Sequence, residues 1–353
     1  CQLTSNAAVM PHYEFFHIPG MDWLGRHIDP PTTPLQVASV AHQLGLPQVL
    51  SETFALTGWN VSFTELKWML EWQMVRGVTL LCQHLEGYSL RGIRKRDYPP
   101  SLFYQQPWWN DYKRFNDAVS RVGMVLSQGS ARFDVLVLHP QSSAWLDFDN
   151  DANGGIHQRF EAMMGVVTAL EQNHVPFDFG DERILRRHGR AEEGRLLVGE
   201  CSYETVIVPA VTTLAESTVR LLEAFTAQGG TLIWCGEKPV LLAGEEGCEL
   251  LAALTAQGLD VSTPQAAIAA LPGTVRRLHI TLNDGSPAAQ IAVTERSLSA
   301  DRAGLACRMV YAVNQKLGEG CAVNLRLPGR SVCRFVMETG ETEPLAFAVE
   351  DGV

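Results

Sequence analysis

Apolar and polar positions in this chain alternate with two periods. As far as about Gly129, short apolar runs of strand length are each followed by a segment whose apolar residues recur at helical spacing, the mark of βα units on a parallel sheet. "HYEFFHI", His12 to Ile18, reads as the first strand. "PLQVASVAHQLG" follows as a helix: Pro34 can open it, Leu35, Ala38, Val40, Ala41 and Leu44 supply an apolar stripe, and Gly45 ends it. "PQVLS" is the second strand. "SFTELKWMLEWQMVRG" is then a helix N-capped by Ser62, with Glu65 completing a capping-box pattern and Gly77 as the stop. "VTLLCQH" is the third strand, and the long polar loop "LEGYSLRGIRKRDYPPSLFYQQP" leads to a last helix, "WWNDYKRFNDAVSRVGMVLSQG". Three strand–helix units make at most half of a closed βα barrel.

A second unit opens on "RFDVLVLHP", a strand whose centre, Val135 to Leu138, is fully apolar and which ends in His139-Pro140. It continues through the helix "GIHQRFEAMMGVVTALEQNH", the strands "VPFDFGD", "GRLLVGE" and "YETVIVPA", the helix "AESTVRLLEAFTAQG" and the strand "GTLIWCG". This βαβ alternation predicts a flavodoxin-like, doubly wound α/β domain ending near Leu271. From Pro272 the period shifts to the alternation of antiparallel strands, as in "VRRLHITLND", "CRMVYAVNQ", "CAVNLRLP" and "VCRFVMETG". The expected organisation is therefore residues 1–129, 130–271 and 272–353.

Composition narrows the function classes. With 353 residues, 46% of them hydrophobic, the chain has the makings of more than one folded domain. A net charge of −11 opposes a nucleic-acid backbone or an anionic membrane as partner, and no apolar run reaches transmembrane length. The eight cysteines, Cys1, Cys82, Cys201, Cys235, Cys248, Cys307, Cys321 and Cys333, form no CxxC pair or zinc-finger spacing. They read as scattered buried thiols, which favours a reducing, cytoplasmic setting. No GxGxxG or P-loop is present and no metal set is signalled, so no cofactor is expected. The chain begins at Cys1 without an initiator Met and is expected to be a fragment.

The C-terminal rim of a parallel βα sheet is where site residues gather. Here the three expected strands end in Glu14 to His17 followed by "PGMDWLG", in Ser51-Glu52, and in Gln83-His84 followed by Glu86 and Tyr88. Carboxylates, an imidazole and aromatic rings together suit a sugar: carboxylates do the proton and nucleophile work at an acetal carbon. Trp23, Trp59, Tyr88, Trp108 and Trp109 could stack on pyranose faces. Each also has a bland reading. Glu52 could be a solvated strand end, Asp22 a turn cap, His84 a satisfied core histidine, and "RGIRKRD" a solvated loop, although that run could reach an acidic sugar or phosphate. Trp108 and Trp109 open a helix and are expected to pack against the barrel rather than stack on a ligand. Cys235 in "IWCGEKP" lacks the flanking glycines of a nucleophile elbow and reads as a structural thiol.

"IPGMDWLGR", "PLQVASVAHQLGLPQVLSETFALTGWN", "ELKWMLEWQMVRGVTLLCQHLEGYS" and "PWWNDYKRFNDAVSRVGMVLSQG" running into "FDVLVLHP" resemble bacterial glycoside hydrolases related to family 106, whose known members are α-L-rhamnosidases. The layout also resembles that of family 42 β-galactosidases. The resemblance implies the C-terminal part of a (β/α)8 TIM barrel, then a flavodoxin- or glutamine-amidotransferase-like α/β domain, then a β-rich, sandwich-like segment. It makes "VLSE" the seventh barrel strand and "TLLCQH" the eighth, and puts Glu52 in the chemistry as nucleophile or general base. Asp22, His84, Glu86 and Tyr88 become sugar-hydroxyl contacts, Trp23 and Trp59 stacking walls. The general acid would lie on strands this chain lacks, so the chain by itself is expected to be inactive. The substrate implied is an oligosaccharide or glycoside, and the α/β domain would serve as scaffold or as the contact of a homo-oligomer. The alternative is a non-catalytic carbohydrate-binding or assembly module using the same rim.

Overall fold

The computed structural model describes residues 8–149, 154–276, 278–298, 307–327, 329 and 331–349. The chain opens with a single helical turn, α1 (Met10–Tyr13), and then lays down three short parallel strands: β1 (Gly20–Trp23), β2 (Leu50–Thr53) and β3 (Leu80–Gln83), in the order β1–β2–β3. Between them run α2 (Thr32–Gln43) and α3 (Phe63–Met74), and α4 (Trp109–Leu126) follows β3. Both helices between the strands lie where apolar spacing predicts them. The Ser62–Glu65 capping box is complete in both directions, and Gly77 adopts φ +106° just past the end of α3. Glycine is required again at position 123 of α4, where a Cβ would sit 2.3 Å from the Thr79 carbonyl oxygen, so its absence lets α4 approach the entry to β3.

One strand was misplaced by sequence. "HYEFFHI" is not extended: Pro11 sits in the first turn of α1 and Tyr13 is buried, while Phe15, Phe16 and Ile18 are exposed. Without a period-two burial pattern there is no sheet face for it to serve, and the strand starts instead at Gly20, just past Pro19. The buried-thiol expectation also fails in part. Cys82, Cys248, Cys307 and Cys333 are exposed, Cys201 and Cys321 half-buried and Cys235 buried, all as free thiols, while Cys1 lies outside the described residues.

The second unit is a five-stranded parallel sheet of β5 (Val135–Leu138), β6 (Phe177–Gly180), β10 (Thr205–Pro209), β12 (Thr231–Cys235) and β15 (Leu259–Val261). The spatial order β15–β12–β10–β5–β6 is the 2-1-3-4-5 of doubly wound sheets. β5, β6 and β10 are buried throughout, as strands covered on both faces must be. Helices α5 (Gln141–Leu146), α6 (Gly154–Gln172), α7 (Glu182–His188) and α8 (Glu216–Ala227) accompany it. An antiparallel meander, β7 (Gly189–Glu192), β8 (Arg195–Val198) and β9 (Cys201–Tyr203), precedes β10. A small sheet of β11 (Thr213–Leu214), β13 (Leu241–Leu242) and β14 (Glu245–Glu246) pairs β11 parallel to β13 and β13 antiparallel to β14. From β16 (His279–Thr281) onward the pairing among the described residues is antiparallel, as the alternation there predicts. β17 (Ile291–Leu298) pairs with β18 (Cys307–Asn314), and its far end pairs with β4 (Ser130–Ala131), which lies between α4 and β5.

The units are locked together. α2 lies along β6, an edge strand, where Ser39 Oγ accepts from Phe179 N at 2.8 Å and Gln43 Nε2 donates to Phe179 O at 2.9 Å. Arg76, past the end of α3, donates to both Glu171 carboxylate oxygens on α6 at 2.8 and 3.0 Å and to Gln315 Oε1 beyond β18 at 2.7 Å. Its guanidinium lies over the Trp72 ring at 4.6 Å.

Two predictions follow from these contacts. The Arg76 side chain is 3% exposed, whereas the Lys67–Glu338 pair is solvated at 42% and 62%. Arg76→Met is expected to lower stability by about 2–4 kcal/mol by stranding Glu171, and Lys67→Met by less than about 1 kcal/mol, as read from urea-unfolding midpoints. His139, fully buried after β5, accepts from Gln36 Nε2 at 2.9 Å only while neutral, and burial pushes its pKa down from 6.5 to about 3. The unfolded chain takes up that proton first, so His139's contribution is complete above pH 6.5 and is lost as the pH falls toward 3. His139→Gln should flatten the acid limb of stability over that window; an unchanged acid limb would refute the assignment.

Candidate functional site

Strand periodicity decides which side chains of the three-stranded sheet meet the helices. Ser51 and Thr53 are buried and both hydrogen-bond to Gln73 on α3, the Ser51 hydroxyl donating to Oε1 and Gln73 Nε2 donating to Thr53 Oγ1 at 3.1 Å. Successive side chains point to opposite faces, so Glu52 stands on the other one. Strand register aligns Gly20, Leu50 and Leu80 in one row and Asp22, Glu52 and Cys82 in the next, nearer the C-terminal ends. Asp22 and Cys82 are exposed and the other four half-buried, so no described residue seals this face from solvent. Asp22 and Glu52 are direct neighbours across adjacent strands, which run about 5 Å apart. Glu52 is half-buried, and its carboxylate makes no hydrogen bond or ion pair with a described residue.

The loops at this end are stitched in sequence. Gly25 N donates to Ala55 O at 2.8 Å, His84 N to Thr53 O at 2.8 Å and Gly58 N to Pro99 O at 3.2 Å, joining the segments that follow β1, β2 and β3. Immediately past Glu52 the backbone turns through left-handed conformations at Phe54 (φ +83°) and Leu56 (φ +60°), where side chains are disfavoured. Such strain is held only where neighbours over-determine it and concentrates at functional sites. Arg26, in the loop after β1, is fixed by Glu65 and by Asn60 Oδ1 at 3.1 Å. Burial works to raise the Glu65 carboxyl's pKa, but hydrogen bonds from Arg26 and Ser62 outweigh it and hold it below its ordinary value.

The sequence-derived residues divide. Asp22 and Glu52 share the open face. Trp59 is 37% exposed and its indole N–H donates to Lys95 O at 3.1 Å, and Tyr88 is 99% exposed; both belong to the rim loops. Glu86 is exposed, and His84, half-buried, faces the Tyr98 ring at 5.7 Å. Trp23 does not join them. Alternation puts it on the helix side, 5% exposed, against Trp72 at 4.6 Å with its N–H donating to His27 O, so it is a core residue and not a stacking wall. Trp108 and Trp109 pack with Phe63 and Tyr112, as expected for residues opening a helix. Sequence reasoning missed Tyr13, whose phenol burial pushes up to about 12, with the Asp22 charge adding to the effect. It also missed Cys82 as Glu52's other neighbour. Both carboxylates and Cys82 occupy the third position of a four-residue strand, a pattern that "GMDW", "LSET" and "LLCQ" carry openly.

At the crevice between β5 and β10, where doubly wound sheets hold ligands, Ser143 ties the segments after the two strands together, its Oγ accepting from Thr212 N and Thr213 N at 2.9 and 3.1 Å. A cavity of about 40 Å³ between α2, α6 and β17 is lined by the paired groups His42–Asp178 and Arg76–Glu171, and its size suits a few waters. Among the described residues no cluster of His, Cys, Asp and Glu is arranged to hold a metal, and no helix is long and apolar enough to cross a membrane.

No family model matches the sequence, and no curated protein matches it. Among solved structures, the chain is similar to a rhamnosidase from Novosphingobium sp. PP1Y, with a TM-score of 0.70 at 16% identity over 97% of this chain and 34% of that one. It is also similar to Gan42B, a GH42 β-galactosidase from G. stearothermophilus, with a TM-score of 0.49 at 12% identity over 68% of this chain and 36% of that one. The likeness to the rhamnosidase is one of fold alone, and this chain spans about a third of that protein's length.

The two tryptophans separate core from rim experimentally. Trp23→Ala is expected to cost about 3–5 kcal/mol in unfolding free energy, whereas Trp59→Ala should cost under about 1 kcal/mol, both measured by circular dichroism in urea. Equal losses would contradict the assignment of Trp23 to the core.

Proposed function

We propose that this chain is part of a glycoside hydrolase, in which β1, β2 and β3 are the closing strands of a (β/α)8 catalytic barrel and their open face looks into its interior. The observation that carries this reading is the row Asp22–Glu52 on the uncovered face of a parallel sheet, at its C-terminal end, beneath stitched loops. Parallel sheets are covered on both faces in folded proteins, so a bare face with carboxylates at its mouth suits a barrel completed by further strands. The fold shared with the rhamnosidase supports the same reading.

Glycosidic cleavage needs two carboxyl groups, one to protonate the leaving oxygen and one to attack the anomeric carbon or to take a proton from the attacking water. Glu52 takes the second role, nucleophile or base, because it is partly sheltered yet engaged by no other described group. Asp22, His84, Glu86 and Tyr88 contact sugar hydroxyls, and Trp59 offers a stacking surface. The acid comes from outside these three strands.

In the longer polypeptide that this reading requires, Glu52→Gln should reduce turnover of an aryl glycoside by about 100- to 10,000-fold while glycan binding persists. Unchanged turnover would favour a rim that binds sugar without cleaving it. The purified chain by itself should release no aglycone, and measurable hydrolysis would reject the assignment of the acid to other strands.

A further inference from the structure

The loop after β3 holds four cations that the proposed reaction does not use. Arg91, Arg94, Lys95 and Arg96 lie in and beside a single 3₁₀ turn (Gly92–Arg96), all exposed. None makes an ion pair with a described residue, in a chain with 39 acidic and 28 basic residues where Arg26, Arg76, Arg159 and Arg195 all find carboxylates. Like charges gathered without counter-ions are weakly unfavourable in the free protein and become favourable against an anion.

The turn is anchored to the candidate site. Trp59, six residues beyond Thr53 of the Glu52 strand, donates its indole N–H to the Lys95 carbonyl, and Gly58 N donates to Pro99 O, so the loops after β2 and β3 are tied together at two points. The loop after β3 that carries the cations also exposes Tyr88 (99%), Tyr98 (45%) and Tyr104 (61%). Aromatic faces together with cations recognise either single-stranded nucleic acid or an anionic sugar. With a net charge of −11 surrounding one local cluster, a long polyanion is repelled along most of its length, whereas a short anionic group held at the turn meets four cations within six residues.

We infer that this turn gives the site selectivity for anionic glycans, the four cations binding a carboxylate or sulfate on the sugar next to the one held at Glu52. The inference rests on the glycan-site reading above but not on Glu52 being catalytic.

The test is affinity electrophoresis of the purified chain in gels containing polygalacturonate, dextran sulfate, unmodified dextran or single-stranded DNA. Retardation by polygalacturonate, by dextran sulfate or by both, beyond that by dextran and DNA, is expected, and identifies the anion as carboxylate, sulfate or either. The quadruple variant Arg91→Gln, Arg94→Gln, Lys95→Gln, Arg96→Gln should weaken this binding by at least about tenfold. Tyr88→Ala should weaken it without changing mobility in DNA. DNA retarding the chain as strongly as the anionic glycans would make the turn a general polyanion patch and overturn the inference, as would a quadruple variant that binds like the parent. Loss of turnover in Glu52→Gln with intact loop-dependent binding keeps both readings. Retained turnover with the same binding removes only the catalytic role, and lost turnover with loop-independent binding removes only the inference.

Discussion

The backbone of an edge strand has to find partners, and in this molecule the edge of the five-stranded sheet finds them on a helix that belongs to the other sheet. β6 offers Phe179 N–H and C=O outward, and Ser39 and Gln43 of α2 take both. Gln43 also donates to the Tyr203 hydroxyl at 3.1 Å, Tyr203 donates to Asp178 at 2.9 Å, and Asp178 meets His42 Nδ1 at 3.0 Å. This buried network leaves α2 little freedom to slide, since any shift would break several satisfied bonds at once and leave polar groups dry. β1 and β2 flank α2 in the chain, so the direction in which the open face looks is set by a sheet that takes no part in the proposed chemistry.

The same logic continues through Arg76. One guanidinium satisfies α3, α6 and the segment after β18 together, with the Trp72 ring beneath it and Trp23 beyond. Trp23 is thereby spent on the core. A sheet face that must be dry against helices takes Met21, Trp23, Ser51 and Thr53, the last two tolerated because Gln73 bonds both hydroxyls. Functional side chains are left with the alternate positions.

The helices and most strands were legible in the sequence because their signals are local: the capping box at Ser62 and Glu65, the stop at Gly77, the unbroken apolar run of β5. The neighbourhood of Asp22 was misread because four aromatic and aliphatic residues, Phe15, Phe16, Tyr13 and Ile18, look like a strand, whereas Pro11 starts a helical turn and three of the four remain exposed. That shift moved Asp22 from a turn into a strand, and with it into register with Glu52. Trp23 was misassigned for the same reason, since the face of a side chain follows from knowing where its strand begins. The fourfold cation turn was visible as a charge run, but its tether through Trp59 to the Glu52 loop is a contact over 36 residues that no local pattern encodes.

The composition of the open face carries the last step. A face built for water needs no Leu50 and Leu80, and a face built for a dry core cannot hold two unpaired carboxylates, because burying an unpaired charge costs more than any leucine contact returns. Register sorts these residues into two levels: Gly20, Leu50 and Leu80 toward the N-terminal ends, Asp22, Glu52 and Cys82 toward the C-terminal ends. On the barrel reading the lower level is filled by side chains from the completing strands, as barrel interiors are packed in layers, and the upper level opens to solvent and substrate. The strained turn at Phe54 and Leu56 then has a reason to sit where it does, since it turns the chain away at the level where the packed layers end and the carboxylates need room.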